Sequence, residues 1–77
     1  MSNVDQKIYE ILSNVLEIEV NENTHISMQN CQEWTSLAHI DIIMSVEEEF
    51  DIVFGQDDLP NLTSQALLIE KTKELLQ

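Results

Sequence analysis

The chain has 77 residues, 43% of them hydrophobic, and 15 acidic side chains against three lysines and no arginine give a formal net charge of −12. A chain of this size is expected to form one domain, residues 1–77, that hides only about 60% of the surface its unfolded form exposes, which argues against a large enclosed active site. The acidity repels phosphate backbones and anionic lipids, and the longest apolar run, Ala66 to Ile69, falls far short of the roughly 20 residues a bilayer span needs. Nucleic acid and membrane insertion are therefore excluded, and a soluble, cytoplasmic, monomeric protein with basic protein partners is expected. One cysteine, Cys31, precludes an internal disulfide, and one Gly and one Pro favour helices over a many-stranded sheet.

In chain order, Val4, Ile8, Ile11, Leu12, Val15 and Leu16 recur at spacings of three and four, which predicts an amphipathic first helix over residues 4–16. Residues 18–35 lose that period and collect Asn21, Asn23, Thr24, Ser27, Asn30 and Gln32, whose short polar side chains favour turns. This is a long loop, with Ile18, Val20, Ile26 and Met28 expected to tuck it onto the core. Thr35 can cap a second helix running from Ser36 to about Asp51 without a Gly or Pro to interrupt it. Gly55 and Pro60 bracket a short piece with one helical turn expected near Asp57 to Leu59. Thr63 or Ser64 can cap a last helix through Leu76, for which Leu67, Leu68, Thr72, Leu75 and Leu76 supply the inward face. The expected fold is all-α: a small bundle of three main helices plus one short helix.

The second helix carries two apolar faces. Advancing about 100° per residue from Ser36 places Ile42, Val46, His39, Phe50 and Ile43 on one arc between about 240° and 340°, the core side. Leu37, Ile40 and Met44 fall between about 40° and 100°, among Asp41, Glu47, Glu48 and Asp51. Apolar residues ringed by carboxylates that must stay in water are how docking surfaces are built; the alternative is that a central helix simply touches neighbours on two sides. The charge distribution favours docking. Residues 33–58 hold Glu33, Asp41, Glu47, Glu48, Glu49, Asp51, Asp57 and Asp58 and no lysine, whereas elsewhere Lys7, Lys71 and Lys73 offset the acids in part.

Ser36 stands in the first turn of this helix, where free backbone N–H groups and the positive end of the dipole stabilise a phosphate ester on its hydroxyl. Position alone is weak evidence, since serine near a helix start is usually a cap. The run from Trp34-Thr35-Ser36-Leu37 through Glu47-Glu48-Glu49-Phe50-Asp51-Ile52 resembles the attachment region of acyl carrier proteins, typically Asp-Ser-Leu, an amphipathic helix, then Glu-Glu-Glu-Phe. Length, acidity and helix order agree over nearly the whole chain. The resemblance implies that a phosphopantetheinyl transferase moves 4′-phosphopantetheine from coenzyme A to Ser36, with Mg²⁺ in the transferase, and that the arm's thiol carries acyl groups as thioesters in fatty acid or polyketide synthesis or a related pathway. It also implies that Thr35, Leu37, Ile40, Asp41, Met44, Glu47 and Glu48 face the transferase and the basic enzymes that load and use the cargo, and that the chain is a carrier with no catalytic residues. The sequence departs from the pattern at Thr35, where the family usually has Asp; the cap is kept and one negative charge is lost. Two alternatives share the fold: an aminoacyl or peptidyl carrier, and an unmodified acidic interaction module.

Other residues support plainer readings. Cys31 with His25 or His39 would suit a thiol nucleophile and base, but no oxyanion motif or cleft accompanies them, so Cys31 is read as a loop thiol and His39 as a neutral, hydrogen-bonded imidazole on the core arc. Asp57, Asp58 and the run Glu47 to Glu49 lack the alternating ligands and central Gly of a calcium loop, so no metal site is expected. Trp34 is read as an anchor for the long loop.

Overall fold

A computed structural model describes residues 3–76, and these form an all-helical bundle: α1 (Asn3–Leu16), α2 (Ser36–Phe50), a 3-10 turn (Leu59–Asn61) and α3 (Gln65–Leu76). Helix α1 is the central member and contacts both α2 and α3. Its residues Ile8, Leu12 and Leu16, spaced one turn apart, are buried against Ile42, Ile43 and Val46 of α2, Leu68 of α3, and Trp34, Phe54 and Leu62 from the connections. The apolar period of the first helix and the core arc of the second thus appear in the structure as read, with His39 and Phe50 half-buried toward the two ends of the helix.

Helices α1 and α2 both stop on an acidic residue in the left-handed region, Glu17 at φ 56° and Asp51 at φ 55°. The Asp51 N–H returns to the Glu47 carbonyl, closing the last turn one residue before the expected end. A left-handed Glu has no short side chain to offset the Cβ crowding that glycine avoids. Glu17→Gly is therefore expected to stabilise the fold by about 0.5–1 kcal/mol, seen as a rise in midpoint on urea unfolding at unchanged slope.

Residues 17–35 form the loop expected from their composition, and it is fastened at several points. The Val20 N–H donates to Ser13 Oγ at 3.1 Å, the Met28 N–H to the Thr63 carbonyl at 2.9 Å, and the Gln65 N–H to the Ile26 carbonyl at 3.0 Å, so that Ser27 and Ser64 pair as one antiparallel bridge. Val20 is buried, and Ile18, Ile26 and Met28 pack half-buried on the core.

Helix α3 corrects one expectation. Leu67, Leu75 and Leu76 are exposed, and its inward residues are Gln65, Leu68 and Thr72. The spacing of three and four through 65, 68 and 72 defines that face, and Leu67 lies about 100° from Leu68 around the helix. The long loop supplies the reason for a polar residue there. Buried Gln65 accepts from Thr24 Oγ1 at 2.6 Å and donates through Nε2 to the Asn21 carbonyl at 2.9 Å, bonds no leucine could make. Thr72 satisfies its own hydroxyl on the Leu68 carbonyl at 2.7 Å. Of the two cap candidates, Ser64 takes the role, its Oγ accepting the Leu67 N–H at 3.2 Å. The 3-10 turn begins at Leu59, two residues after the expected start; Asp57 and Asp58 belong to the preceding turn, closed by the Asp58 N–H on the Gly55 carbonyl at 3.0 Å.

All three lysines pair with carboxylates of the same chain at the bundle surface. Lys7 pairs with Glu49 at 3.6 Å across α1 and α2, Lys73 with Asp5 at 2.8 Å across α3 and α1, and Lys71 with Asp58 and Glu74 at 3.5 and 3.6 Å.

Candidate functional site

The start of α2 is fixed from outside and inside. Outside, Thr35 is extended (φ −85°, ψ 176°), its Oγ1 accepts the Ala38 N–H at 3.2 Å and its carbonyl accepts the His39 N–H at 2.8 Å, so the expected cap is present. Inside, Trp34 is only 2% exposed, its N–H on the Cys31 carbonyl at 3.1 Å. Its indole Nε1 donates to His39 Nδ1 at 3.1 Å, and His39 Nε2 lies 2.9 Å from the Leu59 carbonyl of the 3-10 turn. Ser36 stands between these fastenings, exposed, the first residue of the helix, and its hydroxyl has no hydrogen-bond partner among the described residues. No acidic residue occupies this first turn, so nothing there opposes a phosphate group at the positive end of the helix.

From Ser36 an apolar stripe runs along the outer face. Leu37 is 80% exposed, Ile40 56% and Met44 61%, while Ile42, Ile43 and Val46 on the opposite side are buried. Asp41, Glu48 and Asp51 are exposed beside the stripe, and among the described residues none of them has a cation partner, because every lysine pairs elsewhere. Glu47 differs from its neighbours. It is half-buried and its Oε2 accepts the Phe54 N–H at 2.8 Å, so one carboxylate oxygen holds the chain that leaves α2. Val53, the residue before this tether, is 80% exposed. The sequence does not single out Val53: Ile52, Val53 and Phe54 are all apolar, and only the extended backbone, with Phe54 buried, Val53 out and Ile52 half-buried, separates them.

The other candidates are not gathered at Ser36. Cys31 is buried and its thiol lies 3.5 Å from Glu33 Oε1, while both His39 nitrogens are engaged by Trp34 and Leu59, so the thiol and this imidazole form no pair. Among the described residues no three His, Cys, Asp or Glu side chains are grouped to hold a metal ion. A cavity of about 550 Å³ opens between the long loop and α3, lined in part by Tyr9, Ile26, Gln65 and Ile69, and none of its lining residues comes from α2. Burial raises the Tyr9 phenol above its ordinary value there, with the Asp5 and Glu22 carboxylates adding to the effect and Lys73 opposing it.

No protein-family model matches the chain. An acyl carrier protein of Buchnera aphidicola subsp. Schizaphis graminum is 35% identical over 65 residues, covering 83% of this chain and 82% of that protein. No helix among the described residues is long and apolar enough to cross a membrane.

Proposed function

Because the chain belongs to the acyl carrier protein family, we propose that it holds acyl groups on a 4′-phosphopantetheine arm at Ser36 and presents them to partner enzymes. The observation that carries this reading is an exposed, unbonded serine hydroxyl at the N-terminus of a capped helix, at the head of an exposed apolar stripe. In loading, Ser36 Oγ forms a bond to phosphorus as the pyrophosphate link of coenzyme A breaks; adenosine 3′,5′-bisphosphate leaves and the hydroxyl proton passes to a base of the transferase. When attached, the arm supplies a thiol that carries the acyl group as a thioester. The chain's own residues do the rest: the helix start offers backbone N–H groups to the phosphodiester, and Leu37, Ile40 and Met44 dock partners whose basic groups meet Asp41 and Glu48. Thr35 contributes its cap and Glu47 supports the end of the stripe. The carrier performs no chemistry on its cargo.

Co-expression with a broad-specificity transferase and measurement of intact mass tests this. One phosphopantetheine adduct is expected on the wild-type chain and none on Ser36→Ala; an adduct that survives the substitution would overturn the assignment. Thr35→Asp keeps the cap and restores a negative charge beside the hydroxyl, so faster loading than wild type is expected in a time course of the same adduct.

A further inference from the structure

We propose that Trp34 and His39 are positioning residues for Ser36, the hydrogen-bond relay from the Trp34 indole to His39 and from His39 to the Leu59 carbonyl setting where the hydroxyl to be modified stands. The proposal rests on the reading of Ser36 as the loaded residue. An indole nitrogen only donates and a carbonyl oxygen only accepts. His39 Nδ1 must therefore present its lone pair to Trp34 Nε1 at 3.1 Å, and His39 Nε2 must carry the hydrogen that bonds the Leu59 carbonyl at 2.9 Å. One neutral tautomer satisfies both, and the ring can neither flip nor take up a second proton without losing a bond. The two rings lie with centroids 6.1 Å apart at 31°, so the pair is in contact as well as bonded.

The relay joins three segments: the end of the long loop through Trp34, α2 through His39, and the 3-10 turn through Leu59. His39 lies three residues after Ser36, on the adjoining turn of the helix, and Trp34 lies two residues before it. Ser36 is thus bracketed in sequence by two residues anchored to the same point of the fold. The Thr35 cap restrains the first turn from outside, and the relay prevents that turn from swinging away from the 3-10 turn. A transferase that must align an oxygen with phosphorus gains from a hydroxyl held in place, because misplacement by about 1 Å costs on the order of 100-fold in rate.

The test compares wild type with Trp34→Phe, which keeps a ring and loses the donor, His39→Leu, which loses both bonds, and His39→Gln, whose amide keeps a donor and an acceptor. Each is followed by kcat and KM for transfer from coenzyme A, by ¹⁵N shifts of the His39 ring, and by the heteronuclear NOE at residues 35–38. The wild-type ring is expected to show one protonated and one unprotonated nitrogen, with Nε2 protonated. The Phe and Leu variants are expected to lose NOE at residues 35–38 and about fivefold to tenfold in kcat/KM while the rest of the bundle keeps its order, and Gln to recover most of both. Unchanged kcat/KM in a variant whose first turn has become mobile overturns the proposal, as does an unchanged NOE in His39→Leu. If the wild-type chain takes no phosphopantetheine, the reading of Ser36 falls; a rigid first turn in His39→Leu would then overturn the relay independently.

Discussion

Truncation of Ile42 to alanine is expected to cost the bundle about 2–5 kcal/mol, while the same truncation two residues earlier, at Ile40, is expected to leave stability within about 0.5 kcal/mol. Ile42 is 0% exposed and Ile40 56% exposed on the same helix, so residue type and helix propensity are held constant and only the face differs. A domain of this size has a total stability of about 4–12 kcal/mol, so Ile42→Ala removes a large share of it and can leave the chain largely unfolded at 37 °C. Ile40→Ala should instead show its effect in docking, as a raised KM in transferase loading with the fold intact by circular dichroism. Equal losses of stability at the two positions would mean that both faces of α2 are core, the alternative its two apolar stripes left open.

Reversing charge beside the stripe is the second large effect. Asp41→Lys combined with Glu48→Lys is expected to raise KM for loading about tenfold or more at low salt, corresponding to about 1.4 kcal/mol or more, with melting temperature unchanged or slightly raised. Both carboxylates are exposed and lack a cation partner among the described residues, so no internal ion pair is broken. Salt separates the two roles of the charge. Added salt screens exposed charges beyond about 10 Å at 0.1 M, so it should weaken docking while relieving the self-repulsion of a chain at −12 and raising its melting temperature. A KM insensitive to both reversal and salt would leave only the apolar stripe to account for docking.

What could be read in the sequence follows the range of each interaction. The period of α1, the Thr35 cap and the two faces of α2 depend on neighbours within one or two turns, and each stands in the structure as the spacing predicts. The failures depend on partners far along the chain. Gln65 is buried because Asn21 and Thr24, more than 40 residues away, need its amide, and this turned the inward face of α3 away from Leu67, Leu75 and Leu76. Glu47 shares the arc of the free carboxylates by angle, and its tether to Phe54 forms only once the chain has turned back after α2. Trp34 stands as the anchor its type suggested and His39 is hydrogen-bonded as expected, yet their bond to one another, and through it to Leu59, required the third dimension.

The internal ion pairs of Lys7, Lys71 and Lys73 have a chemical corollary. Carbodiimide activation of Asp41, Glu48 and Asp51 creates O-acylisoureas that no neighbouring lysine of the same chain is placed to capture, whereas the lysines' own amines face Glu49, Asp5, Asp58 and Glu74. No lysine of the chain is therefore placed to supply the nitrogen for an amide bond formed from the outer face of α2, and a partner's amines are expected to supply it. Zero-length cross-linking of this carrier to an enzyme that uses it would thus read out the docking surface residue by residue, with self-coupling confined to the internal ion pairs of Lys7, Lys71 and Lys73 and separable from it by position.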